Sequence, residues 1–141
     1  MEQIIKEKIS ADHLLYVSLK YTKTCDVIIN LLERWKNMID ISIELLVEKA
    51  KKQKKWKSVP DAPRAKLIQL KKIYANDKII KETFELYELF RDLNQLEKVR
   101  ENEFRKGVNL KVNYKEKTIN INLDKLKEYS TLLEKFISLL K

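Results

Sequence analysis

One glycine, one cysteine, one histidine and two prolines in 141 residues leave little room for several common chemistries. A single glycine cannot build a phosphate-cradling glycine loop, and a single histidine cannot supply a two-histidine zinc motif. The lone Cys25 excludes an internal disulfide and a thiolate metal site within one chain, and it fits a reducing cytoplasm. His13 and Cys25 fall on different predicted helices, so they form no nucleophile–base pair by spacing. The acidic residues are spread as helix-surface partners for lysine, as in Glu44 with Glu48 and Glu97 with Glu101, which points to no magnesium site. No metal and no cofactor is expected. Nowhere do about 18 apolar residues run together, and the opening MEQIIKEKIS mixes charges into its apolar residues. Neither a signal peptide nor a membrane span is expected, and the protein is read as cytoplasmic.

What is present describes a helical protein. Apolar residues make up 44% and charged residues 36% of the chain, a balance that supports a packed core with little irregular chain. The length suits a single domain over residues 1–141. Lysine and arginine outnumber aspartate and glutamate by 30 to 21, a formal charge of +9. That excess admits a polyanionic partner such as RNA, although a lysine-rich composition also arises from genome bias or heat adaptation.

Apolar spacing predicts five helices. The first covers residues 2–22, with Ile5, Ile9, Tyr16 and Leu19 on one face and Leu15 beside them. The second covers 24–54, with Ile28, Leu31, Leu32, Trp35, Met38, Ile39, Ser42, Leu45 and Leu46 stepping by three and four. Ile41, Ile43 and Val47 lie off that stripe and indicate a second buried face, toward another helix or another subunit. A basic loop follows, and Asp61 then starts a short helix at 62–75 with Pro63 in its first turn. Asp77 caps a fourth helix from Lys78 to about Arg105, whose stripe is Thr83, Leu86, Leu89, Phe90, Leu93 and Leu96, with Gly107 as a left-handed stop. Alternation in Val108–Tyr114 and Thr118–Leu123 predicts a hairpin turning at Lys115–Lys117, which lacks the favoured Asn-Gly. Asp124 then caps a last helix carrying Leu126, Tyr129, Leu133, Phe136, Ile137 and Leu140. The expected fold is mainly α, an antiparallel bundle of about five helices with a small β-hairpin before the last helix. Two strands alone are marginal in water, so the hairpin must lean on the bundle or on a second chain.

Two stretches carry candidate function. In residues 49–57, Lys51, Lys52, Lys54 and Lys55 surround Trp56, which combines a phosphate-attracting field with a ring on which an unpaired base can stack. The same lysines also complement the dipole of a helix C-terminus. In RENEFRKGV, residues 100–108, Arg100 falls near the apolar stripe, four residues after Leu96 at about 100° per residue. A buried guanidinium needs a partner, and Glu103 at i+3 is the obvious one. Arg100 therefore either closes the bundle end in an ion pair or joins Asn102, Glu103 and Arg105 in lining a phosphate-binding cleft.

This layout resembles the HEPN superfamily, helical bundles that often dimerise and in many members cleave RNA. Their mark is an arginine, a polar residue, and a histidine four to six intervening residues after the arginine. EFRKGVNLKV also looks like a stretch of archaeal HEPN-like proteins, in which EYRKHV-type sequences precede a hairpin and a final helix. Gly107 stands where an active member would carry histidine, so the resemblance implies RNA binding with weak or lost metal-independent ribonuclease activity. Arg100 and His13 are the catalytic candidates, His13 as a substitute proton carrier from another helix or subunit. The resemblance also implies a homodimer. The alternative is a non-enzymatic partner subunit of a toxin–antitoxin or CRISPR-type ribonucleoprotein assembly.

Overall fold

The structure, a computed structural model, describes residues 1–53, 55 and 62–141. Helix α1 (Glu2–His13) runs through a π-helical turn at Leu14–Ser18 into the short α2 (Leu19–Tyr21), forming one rod. Helix α3 (Cys25–Lys52) is the longest element, and α4 (Pro63–Ile73), α5 (Lys78–Asp92) and α6 (Leu123–Leu140) pack with it. Strands β1 (Lys98–Glu101), β2 (Asn109–Tyr114) and β3 (Lys117–Asn122) form an antiparallel sheet in that order, immediately before α6. The mainly helical bundle with a small antiparallel sheet before the last helix is the expected fold. Among the described residues, no helix is long and apolar enough to cross a membrane.

The long helices form where spacing and caps agree. Thr24 Oγ1 accepts from the Val27 amide at the start of α3, and Asp77 Oδ1 accepts from the Ile80 amide at the start of α5. Each satisfies a backbone donor that has no partner inside its helix. Pro63 opens α4 in its first turn as expected, while Asp61 lies outside the described residues. The α3 stripe is buried from Ile28 to Leu46, with Leu45 only half-buried, and Ile43 and Val47 are buried with it. Trp35, Phe90 and Tyr129 meet with ring centroids 5.8 to 6.4 Å apart, which locks α3, α5 and α6 together.

Four local expectations are corrected. The fourth helix ends at Asp92, followed by a 3₁₀ turn at Leu93–Gln95, and residues 98–101 are strand. Lys98 Nζ donates to the carbonyls of Leu93 and Leu96, so the chain exits with its last acceptors satisfied. β1 then pairs with β2, Arg100 opposite Leu110, and gives the hairpin the third strand that it needs. On the rod of α1 and α2 the buried residues are Ile4, Ala11, Leu15 and Leu19, whereas Ile9 and Tyr16 are 62% and 53% exposed. Small Ala11 lies fully buried in that stripe, and the π turn carries one more residue per turn than an α-helix, which keeps Leu19 in register.

The last helix is capped by Asn122, whose Oδ1 accepts from the Lys125 amide at 2.8 Å, and Asp124 sits inside the first turn. Gly107 does not adopt a left-handed backbone; Asn102, Phe104, Lys115 and Glu116 do. Lys115 and Glu116 are the two central residues of the β2–β3 turn, where positive φ matches the strand twist. Leu110, Val112 and Ile121 bury one sheet face against the bundle, as their alternation predicts.

Candidate nucleic-acid interface

Arg100 belongs to strand β1, not to the inward stripe of a helix, and its side chain is 47% exposed. Its Nη1 lies 2.7 Å from Asp26 Oδ1 and 3.5 Å from Glu103 Oε1. The hydrogen bond to Asp26 raises the guanidinium pKa above its ordinary value and so favours the charged form. Glu103 Oε1 also accepts from the Cys25 amide at 3.0 Å, so this carboxylate caps the start of α3. The ion pair with Glu103 is thus present, and Asp26, 74 positions earlier in the chain, completes it. Cys25 is buried with its Sγ 3.4 Å from the Asn109 carbonyl, and burial pushes the thiol pKa up.

The loop after β1 is pinned to the α2–α3 connection by the Phe104 amide, which donates to the Lys23 carbonyl at 2.6 Å. Asn102 Nδ2 donates to the Gly107 carbonyl, and the Arg105 amide donates to the Asn102 carbonyl. Phe104 has a φ of 67° and is 75% exposed, and Tyr21, two residues before Lys23, is 78% exposed. Among the described residues these are the two most exposed large apolar side chains. Lys20 Nζ sits 5.8 Å from the Tyr21 ring centre, and Arg105 and Lys106 are exposed beside Phe104. The sequence reading singled out the charges around Phe104 and passed over the ring. Its position between Glu103 and Arg105 was the available signal.

Beside this loop opens a cleft of about 690 Å³, lined by Lys23, Lys106, Lys127, Asn102, Asn120 and Asn122. A second groove of about 750 Å³ lies between α1 and α3 and holds His13 with Asn30, Glu33, Arg34 and Asn37. Asp26, which holds Arg100, and Asn30 are one turn apart on the same face of α3. His13 and Arg100 therefore approach the same end of α3 without sharing a cavity. Among the described residues, no three His, Cys, Asp or Glu side chains gather to hold a metal.

The lysine stretch is elsewhere. Lys51, Lys52 and Lys55 are exposed at the C-terminal end of α3, and Lys49 Nζ donates to the Leu140 carbonyl at 2.6 Å. Lys54 and Trp56 lie outside the described residues. At 1.5 Å per residue, Lys51 is roughly 38 Å along the helix from Asp26. The two candidate regions thus stand at opposite ends of α3, and no single small ligand touches both. Comparisons with protein-family models, with curated proteins and with solved structures find no match for this chain.

Proposed function

We propose that the protein binds single-stranded RNA at the end of the bundle where Tyr21 and Phe104 emerge. The observation that carries this reading is the backbone bond from Phe104 to Lys23, which joins the segments bearing the two most exposed rings, Tyr21 and Phe104, and the cations Lys20, Lys23, Arg105 and Lys106. Unpaired bases stack on such rings for about 1–3 kcal/mol each, while the cations attract the backbone phosphates. Arg100 acts here as a positioning residue: it offsets part of the negative charge of Asp26 and Glu103, whose carboxylates repel a phosphate. On this reading the chain is a HEPN-like RNA-binding protein with ribonuclease activity weak or lost, because Arg100 is engaged by two carboxylates and Gly107 offers no proton carrier. The exposed lysines Lys51, Lys52 and Lys55 supply a separate electrostatic contact for a longer strand.

The test is fluorescence anisotropy with labelled single-stranded RNA, without metal, across a salt series. Tyr21→Ala and Phe104→Ala are each expected to weaken binding about 5- to 150-fold, following the stacking range. Arg105→Ala with Lys106→Ala should flatten the salt dependence by about 1.4 logarithmic units per decade, at roughly 0.7 per lost phosphate contact. Unchanged affinity in all three variants would overturn the reading. The RNA should remain intact throughout; cleavage lost in His13→Ala would instead assign the α1–α3 groove a catalytic role.

A second reading rests on a different surface. Ile9, Tyr16 and Val17 share one face of the first rod and stay outside the core, which suits packing against a second copy of this chain. Sedimentation over a range of concentrations should then show a dimer that Ile9→Lys disrupts, and a monomer at every concentration would exclude it.

A further inference from the structure

The cleft of about 690 Å³ beside the Phe104 loop has an unequal supply of hydrogen-bonding groups. Three ammonium groups reach it from separate parts of the chain: Lys23 from the α2–α3 connection, Lys106 from the β1–β2 loop and Lys127 from α6. Its asparagines are oriented by bonds to the protein. Asn120 Oδ1 accepts from Asn109 Nδ2 at 2.9 Å, and Asn122 Oδ1 accepts from the Lys125 amide at 2.8 Å. Both carbonyl oxygens are thereby used, and among the described residues no protein group accepts from either Nδ2. Asn102 is turned the other way, with its Nδ2 on the Gly107 carbonyl and its Oδ1 left over. Donors exceed acceptors, since two amides and three ammonium groups stand against Asp124, Asn102 Oδ1 and the buried, unpartnered Asn109 Oδ1.

We propose that this cleft is a nucleotide pocket, in which the lysines take a phosphate and the Asn120 and Asn122 amides take acceptor atoms on the base. The proposal deepens the RNA-binding reading and rests on it, because Lys23 and Lys106 belong both to the cleft and to the surroundings of Phe104. A donor-rich edge favours a base that presents carbonyl oxygens. Uracil offers two around a single N3–H, which Asp124 or Asn102 Oδ1 can accept, whereas adenine presents a two-proton amino group beside ring nitrogens of one lone pair each. The pocket therefore supplies what the stacking rings lack, since a ring face accepts any base. The nucleotide can come from a bound strand or from solution, and the two sources differ in what they require of the pocket alone.

The test uses the full chain with UMP and AMP in ligand-observed NMR titrations, and labelled oligo(U) and oligo(A) in anisotropy. Asn120→Asp is the informative substitution: it keeps the acceptor for Asn109, removes the amide donor and adds a negative charge. Lys127→Met removes one ammonium at an exposed helix position and guards against a local folding effect of the first variant. The wild type is expected to prefer oligo(U) over oligo(A); Asn120→Asp should cut that preference at least tenfold, whereas Lys127→Met should weaken UMP, oligo(U) and oligo(A) alike and leave the preference in place. Saturable UMP binding that Asn120→Asp abolishes would assign a site for free nucleotides. No UMP binding together with a lost oligo(U) preference would assign the pocket to the strand. If RNA binding depends on Phe104 but neither cleft variant alters the preference or UMP binding, the nucleotide pocket is wrong and the RNA interface stands. If wild-type protein binds no oligonucleotide yet UMP binding falls in Asn120→Asp, the interface is wrong and the pocket stands.

Discussion

Phe104 tests whether the exposed loop is shaped for the fold or for a ligand. Its backbone sits at a φ of 67°, where a residue with a β-carbon loses roughly 1–2 kcal/mol relative to right-handed geometry. Its ring is 75% exposed and so returns little hydrophobic stabilisation. Phe104→Gly relieves the backbone but widens the unfolded ensemble by about 0.5–1 kcal/mol. The net expectation is a protein more stable by about 0.5–1 kcal/mol, or roughly 2–4 °C in Tm for a chain near this size. Phe104→Ala removes the ring but keeps the strain, so its stability should stay within about 0.5 kcal/mol of the parent. Both variants should lose RNA affinity to the same extent, because both lack the ring. Urea unfolding followed by circular dichroism, with unchanged slope and a shifted midpoint, reads the first effect, and anisotropy reads the second. A destabilised Phe104→Gly would refute the reasoning, since it would mean that the ring supports the fold and needs no ligand to explain its position.

The other expectations concern the fold and its pH dependence. Glu116→Gly, at a φ of 64° in the β2–β3 turn, should stabilise by about 0.5–1 kcal/mol in the same urea assay. Gly107→Ala should be neutral or stabilising by up to about 1 kcal/mol, because its φ is not positive and an added Cβ would meet Asn102 only at ordinary contact distance, 3.8 Å. Burial pushes the Tyr129 phenol up to about 12, above the ordinary tyrosine value near 10. The native state thus holds this proton more tightly than the unfolded chain. The resulting stability, about 2 kcal/mol, is full below pH 10 and lost as the pH rises toward 12. Tyr129→Phe should flatten the fall in urea midpoint between pH 10 and pH 12, and an unchanged fall would show that the burial has no such effect.

Much of the fold was legible because its long elements repeat one signal many times. The stripes of α3 and α6 and the alternation in β2 and β3 each recur often enough to outweigh a chance residue. Residues 93–105 misled because Leu93, Leu96 and Arg100 continue helical spacing by coincidence. The helix stops at Asp92, and the chain beyond it is held by Lys98 on the Leu93 and Leu96 carbonyls and by the pairing of residues 98–101 with β2. Neither leaves a periodic trace. The phase of the first rod failed because small Ala11, not Ile9, carries the buried stripe in α1, and the π turn at Leu14–Ser18 then brings Leu15 and Leu19 onto it. At the candidate site, Glu103 was readable as a partner of Arg100 because it is local, but Asp26 was not. Positive φ at Asn102 and Phe104 was hidden as well, because glycine, its usual sequence sign, stands at position 107 where it is not needed.

The two ends of α3 differ in what their charges do for the helix itself. At its C-terminus Lys49, Lys51 and Lys52 complement the negative end of the dipole, and Lys49 also bonds the Leu140 carbonyl, so these lysines already serve the helix. At its N-terminus the helix presents its positive end, where Asp26 and Glu103 are favourable and further cations are not. Arg100 is offset by those two carboxylates. Among the described residues, Arg105 and Lys106 have no carboxylate within ion-pair distance, whereas Lys23 Nζ donates to the Lys20 carbonyl at 2.6 Å and so caps the end of the first rod. On the proposed RNA-binding reading, Arg105 and Lys106 gain from a phosphate the partner that the fold does not give them. The exposed Tyr21 and Phe104 have the same asymmetry, unused by the core and useful to a base. Charge and aromatic surface therefore mark the same end of the molecule on the proposed RNA-binding reading.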